Sequence, residues 1–347
     1  MTRPQVVETT PPPAGPLLRV RDLRVVFRAR GRRDVHAVDG LDLDVAAGST
    51  TGIVGESGSG KSVSSLAALG LVRGRGVEVS GSVHLDGRDL LTMPDRELRD
   101  VRGRDVAMVF QDPMSALNPV LTVGRQLTEV LERHRGMDGA AGRAEAGRLL
   151  ESVGISAPGQ RLRQWPHQLS GGMRQRVMIA LALACKPRLL IADEPTTALD
   201  VTISAQILAL LRELVADTGT ALVLITHDLG VVAGLCDTVH VMYAGRIVES
   251  ATRQELFAHP RHPYTTGLLA SVPRLDQPRG VPLLPIPGSP ADTRPWTQGC
   301  AFAPRCTRAD AACDGGPPEL SGAPHPARCV HPVDAPSGSV RVGGEGR

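Results

Sequence analysis

The chain has 347 residues, enough for one large core and a smaller second one, and its 39 basic and 36 acidic residues leave a formal net charge of +3. Such balanced charge, with only 2% aromatic residues, provides neither the basic stripe nor the stacking platforms of a nucleic-acid-binding surface, so we expect no nucleic-acid partner. The longest apolar run, Val177–Cys185, is far shorter than the roughly 20 residues of a bilayer-spanning helix. We therefore expect the protein to meet a membrane only through partner subunits.

Composition divides the chain into four parts. Residues 1–16 are proline-rich and have no apolar stretch typical of a signal peptide, which predicts a disordered tail. Residues 17–258 alternate short β-rich runs, glycine turns and helical stretches, as an α/β domain with a parallel sheet requires. The shift to proline, glycine and cysteine after Phe257 marks a boundary, so that 259–332 form a small extension and 333–347 a second disordered tail.

The first chemical motif is a phosphate-binding loop. The segment Gly55-Glu-Ser-Gly-Ser-Gly-Lys61-Ser62 fits G-x-x-x-x-G-K-[ST] at every fixed position, after an apolar strand candidate and before a helix candidate. Backbone N–H groups would contact the phosphates, Lys61 would reach the β and γ oxygens, and the Ser62 hydroxyl would ligate Mg²⁺. The chain has only two lysines, so a lysine at 61 favours a compact charge suited to a phosphate over an arginine fork. The residues predicted to bind the nucleotide here are Gly55, Glu56, Ser57, Gly58, Ser59, Gly60, Lys61 and Ser62.

A glutamine and a helical segment come next. Gln111 follows the short strand candidate that ends at Val109, and a glutamine there can touch both Mg²⁺ and an attacking water. Residues 112–180 are rich in leucine, arginine, glutamate and alanine, which predicts an inserted helical subdomain.

Residues 169–176, Leu-Ser-Gly-Gly-Met-Arg-Gln-Arg, form the most informative stretch of the chain. Gly171 and Gly172 let backbone N–H groups approach a phosphate closely, and Ser170 adds a hydroxyl donor at a helix N-terminus, where an anion is favoured. The alternative is that Ser170 only caps a helix over Met173–Ala184. Because a phosphate loop precedes the octet, we interpret it as a second phosphate-contacting element.

Two further strand candidates end in polar residues. The apolar run after Arg188 ends at Asp193 and Glu194, where Asp193 is placed to hold Mg²⁺ and Glu194 to polarise the attacking water as general base. The alternative is an ordinary strand end with solvated acids. The run that starts at Thr220 ends at His227, which we interpret as the sensor of the γ-phosphate because it follows the two acids in order.

The order of these motifs resembles that of ATP-binding cassette (ABC) subunits from residue 17 to about 265. The resemblance implies the P-loop NTPase cassette fold, ATP hydrolysis with Mg²⁺, and two cassettes that dimerise head to tail around ATP. It implies that Phe27 stacks on adenine, although a core position on a strand is the alternative, and that the loop from Thr197 to Asp200 communicates across the dimer. The nucleotide contacts of Asp200 and of the octet would then be made in that dimer.

Three later stretches resemble the oligopeptide, dipeptide and nickel importer cassettes. They are Phe110–Pro119, His259–Pro273 and Ile286–Pro290, and the octet is similar to the "D" member of two non-identical cassettes. The resemblance implies an ATPase that energises peptide uptake at the cytoplasmic face of the membrane, with a second cassette, two permease subunits and an extracytoplasmic substrate-binding protein. The alternative is a cassette ATPase of a soluble complex similar to the phosphonate-degrading machinery, but the long C-terminal extension favours the importer.

The extension also carries a cysteine cluster. Cys300, Cys306, Cys313 and Cys329 could provide four thiolates for a 4Fe–4S cluster, a trait of some subunits of the family that the chain resembles. Their spacing lacks the C-x₂₋₄-C pairs of zinc ribbons, although zinc and free thiols stay open as alternatives. The segment from Trp296 to His331 has few large apolar residues, so we expect a cross-link to hold it.

Overall fold

The computed structural model describes residues 15–28, 31, 34–197, 199–272 and 285–333. Nearly all of the two predicted disordered tails, 1–16 and 333–347, therefore lies outside the described residues. The extension predicted over 259–332 is described except for residues 273–284.

The N-terminal part folds into a four-stranded antiparallel sheet. Its strands are β1 (Leu18–Phe27), β2 (Val35–Val45), β4 (Val77–Leu85) and β5 (Arg88–Asp89), in the order β2-β1-β4-β5. Alternate positions of β1, such as Leu18 and Val20, are buried while Arg19 and Arg21 are exposed, which is the pattern of a half-buried strand. This face packs on a core that also receives α1 (Lys61–Ala68).

A second sheet of six strands forms the centre of the molecule. Its order is β10-β9-β3-β8-β7-β6, and its strands are β3 (Thr50–Val54), β6 (Val106–Val109), β7 (Leu189–Asp193), β8 (Ala221–Thr226), β9 (Thr238–Tyr243) and β10 (Arg246–Thr252). All neighbours run parallel except β10 against β9, and every residue of β7 and β8 is buried, as expected of strands covered on both faces. The carboxyl ends of β3, β7 and β8 consequently lie side by side at one edge.

Helices cover this sheet and fill the segment between β6 and β7. That segment carries α3 (Pro113–Ala116), α4 (Val123–Arg135), α5 (Gly139–Ser152), α6 (Pro158–Arg161) and α7 (Gly171–Leu183). The helix α4 begins at its N-cap Thr122 and buries Val123, Leu127 and Leu131, which recur every four residues on one face. The remaining helices are α2 (Asp95–Val101), α8 (Val201–Thr218), α9 (Leu229–Leu235), α10 (Arg253–Ala258) and α11 (Pro263–Ala270). No helix in the described ranges has the length and apolar character needed to cross a bilayer.

The C-terminal extension packs onto the cassette and shares its core. Trp296, Phe302 and Cys313 are buried in the same hydrophobic cluster as strands β7, β8 and β9. Backbone bonds add to this contact, because Arg328 N–H donates to Val248 O at 2.7 Å. The cassette thus supplies a core against which the segment packs, and the expected cross-link stays a prediction.

Candidate nucleotide-binding site

The phosphate loop connects β3 to α1 and requires glycine at two positions. A Cβ at Gly55 would lie 2.2 Å from Met242 O, and one at Gly60 would lie 2.2 Å from Ala37 O. Both glycines also have positive φ, at +155° and +102°. The loop thus has a backbone path and a packing environment that side chains at these two positions would disrupt.

Lys61 lies at the floor of this loop. Its Nζ donates to Gly55 O at 2.7 Å and to Glu56 O at 2.9 Å, and the residue is 5% exposed. Burial lowers the pKa of Lys61, and the carboxylates of Glu194, Asp193 and Glu56 oppose that shift. The ammonium is therefore placed where phosphate oxygens can replace the loop carbonyls as its partners.

Ser62 and Asp193 form the oxygen pair predicted to hold Mg²⁺. The Ser62 hydroxyl donates to Asp193 Oδ1 at 2.9 Å across the gap between α1 and the end of β7. Burial, and next the charge of Glu194, raise the pKa of Asp193, while the bond from Ser62 acts in the opposite direction. A hydroxyl–carboxylate pair at the phosphate loop is the ligand chemistry that Mg²⁺ prefers.

Glu194 receives three polar groups from three segments of the chain. Gln111 Nε2 donates to Glu194 Oε2 at 3.0 Å, Thr197 Oγ1 donates to the same oxygen at 2.8 Å, and His227 Nδ1 lies 3.3 Å from Glu194 Oε1. Glu194 has a positive φ of 45°, an uncommon backbone conformation for a residue other than glycine. The general base proposed from the sequence is thus held in a fixed orientation at the sheet edge.

Sequence reasoning did not assign a contact with Glu194 to Thr197. Its position three residues after Glu194, in a turn closed by Thr197 N–H donating to Glu194 O at 3.1 Å, is the local signal that could have identified it.

One cavity brings most of the predicted residues together. From the predicted set it is lined by Gly55, Glu56, Ser57, Gly58, Gly60, Lys61, Ser62, Gln111, Glu194 and His227. Ser59 lies beneath the loop, 5% exposed, with its Oγ 3.4 Å from Lys61 Nζ. Three residues that sequence reasoning missed also line the cavity: Val63 of α1, and Leu268 and Pro290 of the C-terminal extension.

The signature octet does not line the cavity. Ser170 caps α7 by accepting from Met173 N–H at 3.3 Å, so the capping alternative raised from the sequence is observed. Capping does not exclude a phosphate contact, because the N-terminus of α7 still begins at this octet and favours an anion. A Cβ at Gly172 would lie 2.9 Å from Ile203 Cγ2, whereas one at Gly171 would make an ordinary contact of 3.5 Å with Leu199.

Asp200 and Phe27 also lie outside the residues that line the cavity. Asp200 caps α8 by accepting from Ile203 N–H at 2.9 Å and is itself exposed. Phe27 is the last residue of β1, partly buried, paired in register with Val35 and Val77. The stacking of Phe27 on adenine stays a prediction.

The four cysteines of the extension line a second, smaller pocket. Cys300, Cys306, Cys313 and Cys329 all contribute to it, together with His262, Phe302 and His331 among others. Burial raises the pKa of Cys329 to about 11, and the neighbouring thiols at 300, 306 and 313 add to the shift. The four thiols therefore lie around one pocket.

Three other potential metal ligands lie at or beside the cysteine pocket. His262 is buried, and its Nε2 has no hydrogen-bond partner among the described residues. Asp310, Cys313 and His331 place one ligand atom each within 4.8 Å of one another. By contrast, Cys185 and Cys236 lie elsewhere, in the cassette core, where Cys236 is 1% exposed.

The fold and the nucleotide site define an ABC-type ATPase, with a phosphate loop, a strand-end pair of acids and a histidine converging at one sheet edge. The sequence matches the ABC transporter family over residues 38–197 and the C-terminal region of oligopeptide/dipeptide transporters over residues 248–313. In structure, the chain is similar to a dimeric post-hydrolysis state of the ATP-binding cassette MJ0796 bound to ADP and Pi, with a TM-score of 0.61, 28% identity, and coverage of 68% of this chain and 98% of the other.

Two curated relatives match over most of their lengths. The oligopeptide transport ATP-binding protein OppD of Salmonella typhimurium is 49% identical, over 96% of this chain and 99% of its own length. The dipeptide transport ATP-binding protein DppD of Bacillus subtilis is 52% identical, over 86% of this chain and 89% of its own. The chain belongs to the family of oligopeptide and dipeptide transport ATP-binding proteins, and it is an ATPase.

Proposed function

We propose that the protein hydrolyses ATP to energise a peptide importer, with dipeptides or oligopeptides as the solute. The observation that carries the proposal is the near full-length similarity to subunits of oligopeptide and dipeptide transport, which includes the extension as well as the cassette. The cavity supports the ATPase half of the proposal, because Gln111, Glu194 and His227 line it together with the phosphate loop.

Each group at the cavity has a role in this proposal. The loop from Gly55 to Ser62 binds the phosphates, and Lys61 neutralises their charge. Ser62, Asp193 and Gln111 are the residues that would hold Mg²⁺, and the ion would neutralise the negative charge that develops during phosphoryl transfer.

The attacking water would be handled by the second group of residues. Glu194 accepts its proton as general base, Gln111 orients it, and His227 senses the γ-phosphate. The hydrogen bonds from Gln111 and Thr197 to the same oxygen of Glu194 hold the carboxylate in a defined orientation, with its other oxygen towards His227.

A second cassette would complete the site. Ser170, Gly171, Gly172 and Asp200 lie outside the cavity of their own chain, which supports their acting on ATP bound by a partner cassette of non-identical sequence. Phe27 would stack on the adenine.

The remaining partners would be two permease subunits and an extracytoplasmic substrate-binding protein, which place the ATPase at the cytoplasmic face of the membrane. A groove lined by Phe110, Leu117 and Leu121 of the loop after β6, with Val130 and Leu181 from α4 and α7, offers an apolar seat for a permease segment. Gln111 starts this loop and also contacts Glu194. A shift of these residues at the γ-phosphate would therefore move the loop that lines the groove.

Co-purification tests the assembly directly. The chain, expressed with its permeases and second cassette, should co-purify with them, and peptide-loaded binding protein should stimulate ATP hydrolysis by the complex. A stable, active complex whose rate of ATP hydrolysis does not change when loaded binding protein is added would argue against an importer.

We also propose that Cys300, Cys306, Cys313 and Cys329 bind a 4Fe–4S cluster. Support comes from the single pocket that all four line, where burial raises the pKa of Cys300, Cys306 and Cys329 and neighbouring thiols add to each shift. The cluster would fasten the extension, because ATP hydrolysis needs no electron.

Metal analysis of anaerobically purified protein tests this proposal. We expect brown protein with about four irons per chain, from the stoichiometry of such a cluster, and loss of the colour in Cys306→Ser. One zinc per chain without iron, bound through Asp310, Cys313 and His331, would overturn the cluster and leave the ATPase unaffected.

A further inference from the structure

The extension makes a direct ion pair with the phosphate loop. Arg305 Nη1 lies 2.7 Å from Glu56 Oε2 and its Nη2 lies 3.0 Å from Glu56 Oε1, a two-pronged contact between residues 249 positions apart. The Arg305 side chain is 1% exposed and that of Glu56 is 23% exposed. Arg305 Nε donates to Pro287 O at 2.9 Å, so the guanidinium is fixed on both sides.

A second residue of the extension holds the main chain of Glu56. Glu56 N–H donates to the Tyr264 hydroxyl at 2.8 Å. Tyr264 is fully buried and packs edge-on against Tyr243, with 4.7 Å between ring centroids, and against Phe302 at 5.3 Å. Both the side chain and the backbone N–H of Glu56 are therefore set by the extension.

The position of Glu56 determines what this anchoring does. Glu56 follows Gly55 directly, and its carbonyl oxygen accepts from Lys61 Nζ at 2.9 Å. The loop contains three glycines, which give its backbone much conformational freedom when it is not anchored. Fixing Glu56 pre-organises the loop for phosphate, and Arg305 neutralises a carboxylate that would otherwise repel the nucleotide.

The same two short segments line the cysteine pocket. Phe302 and Cys306 flank Arg305, and His262 precedes Tyr264, with Tyr264 N–H donating to His262 Nδ1 at 3.0 Å. Phe302 contacts both the Tyr264 ring and the His262 ring, at 5.3 Å and 5.9 Å between centroids. A change that repacks this pocket must therefore move residues that hold the phosphate loop.

We propose that Arg305 and Tyr264 are positioning residues of the ATP site, and that through them metal occupancy of the cysteine pocket sets the affinity of the phosphate loop for ATP. The second half rests on the proposed metal centre, whereas the first half does not. By linkage, ATP would in turn stabilise the metal-loaded extension by the same factor.

A double-mutant cycle on the full-length chain tests the positioning role. Arg305→Met should weaken ATP binding about tenfold, within the usual range of coupling between sites, because Glu56 keeps an unpaired charge beside the phosphates. Adding Glu56→Gln should restore most of that loss, and Arg305→Lys should give an intermediate affinity. Arg135→Met, which breaks a half-buried pair with Glu145 in the helical segment, is the matched control and should leave ATP affinity unchanged.

The hydroxyl of Tyr264 is tested without changing the packing. Tyr264→Phe should weaken ATP binding severalfold, because the ring keeps its packing and only the hydrogen bond from Glu56 N–H is lost. Thermal unfolding checks that both variants are folded. Unchanged ATP affinity in folded Arg305→Met and Tyr264→Phe would overturn the proposal. Independent, additive losses in the Arg305 and Glu56 variants would overturn it equally.

The coupling between metal occupancy and ATP affinity is tested separately. Cys329→Ser, with its metal content measured, should lower ATP affinity in the natural background and have no further effect in Arg305→Met. Cys185→Ser, outside the pocket, is the control and should change neither metal nor ATP binding. Loss of metal with ATP affinity unchanged would overturn the coupling. All these readouts are ATP affinities of the isolated chain, so a failure of peptide import would count against the proposed function alone.

Discussion

At the scale of single residues, the site depends on Glu194 as the proposed general base and on Lys61 as the proposed phosphate ligand. Glu194 lies at a strand end with a positive φ and receives hydrogen bonds from Gln111 and Thr197. Lys61 is buried in the phosphate loop, where its charge would bind phosphate oxygens and would take no part in proton transfer. Substitutions at the two positions should therefore separate hydrolysis from nucleotide binding.

Glu194→Gln should keep ATP binding while turnover falls about a hundredfold or more, the scale of general-base loss. The amide has the shape of the carboxylate, but it cannot take the proton of the attacking water. ATP affinity and steady-state hydrolysis in the assembled transporter measure the two effects. Near-normal hydrolysis would show that another group is the base.

Lys61→Ala should instead weaken ATP binding itself, because it removes a charge-assisted contact to the phosphates. Titration of the isolated chain with ATP measures this loss. Binding as tight as that of the unmodified chain would place the phosphates away from Lys61.

At the scale of elements, local sequence chemistry predicted most of the site. The strand expected before the phosphate loop, the strand expected to end at Asp193 and the helix expected after Gly60 are all present, because glycines and acids mark their ends. The signature helix starts at Gly171, two residues earlier than the expected Met173, since Ser170 caps it and both glycines adopt helical conformation.

The contacts that the sequence could not predict join residues far apart along the chain. The pairing of Glu56 with Arg305 joins positions far apart in sequence, and neither residue belongs to a local pattern that indicates the other. The contributions of Leu268 and Pro290 to the cavity wall have the same cause. Such contacts are set by how the extension docks, which composition alone does not specify.

The signature helix α7 gives a test of the head-to-tail arrangement. Gly171→Asp should leave ATP binding by the isolated chain unchanged, because a Cβ there has room, and should block closure of the cassette pair by placing a negative charge against the partner's phosphate. Gly172 is the poorer site for this test, since a Cβ would press on Ile203. ATP affinity of the isolated variant and hydrolysis by the complex are the measurements. A collapse of affinity in the isolated variant would mean that α7 contacts the ATP of its own chain.

At the scale of the whole molecule, the extension and the cassette are packed as one core. Trp296 is 3% exposed, its Nε1 donates to Ala244 O at 2.8 Å, and Arg246 lies 5.2 Å from its ring centroid. The extension should therefore unfold together with the cassette.

Trp296→Ala should lower the free energy of unfolding by about 3–5 kcal/mol, the usual cost of removing a buried tryptophan. Trp165→Ala removes the chain's other tryptophan, 41% exposed in the helical segment, and should cost far less. Chemical denaturation of both variants measures the difference. Equal small losses would show that the extension does not stabilise the cassette.

The permease groove is tested by cross-linking. A cysteine in place of the exposed Ser115, on α3 beside the groove, should be captured by a permease subunit. Capture only by the second cassette would contradict the proposed seat.

Peptide uptake into proteoliposomes tests whether the protein energises peptide import. Vesicles that contain the permeases and both cassettes, with ATP inside and peptide-loaded binding protein outside, should accumulate labelled peptide, and Glu194→Gln should stop that accumulation. ATP hydrolysis at the normal rate by the assembled complex without any peptide entering the vesicles would contradict the account.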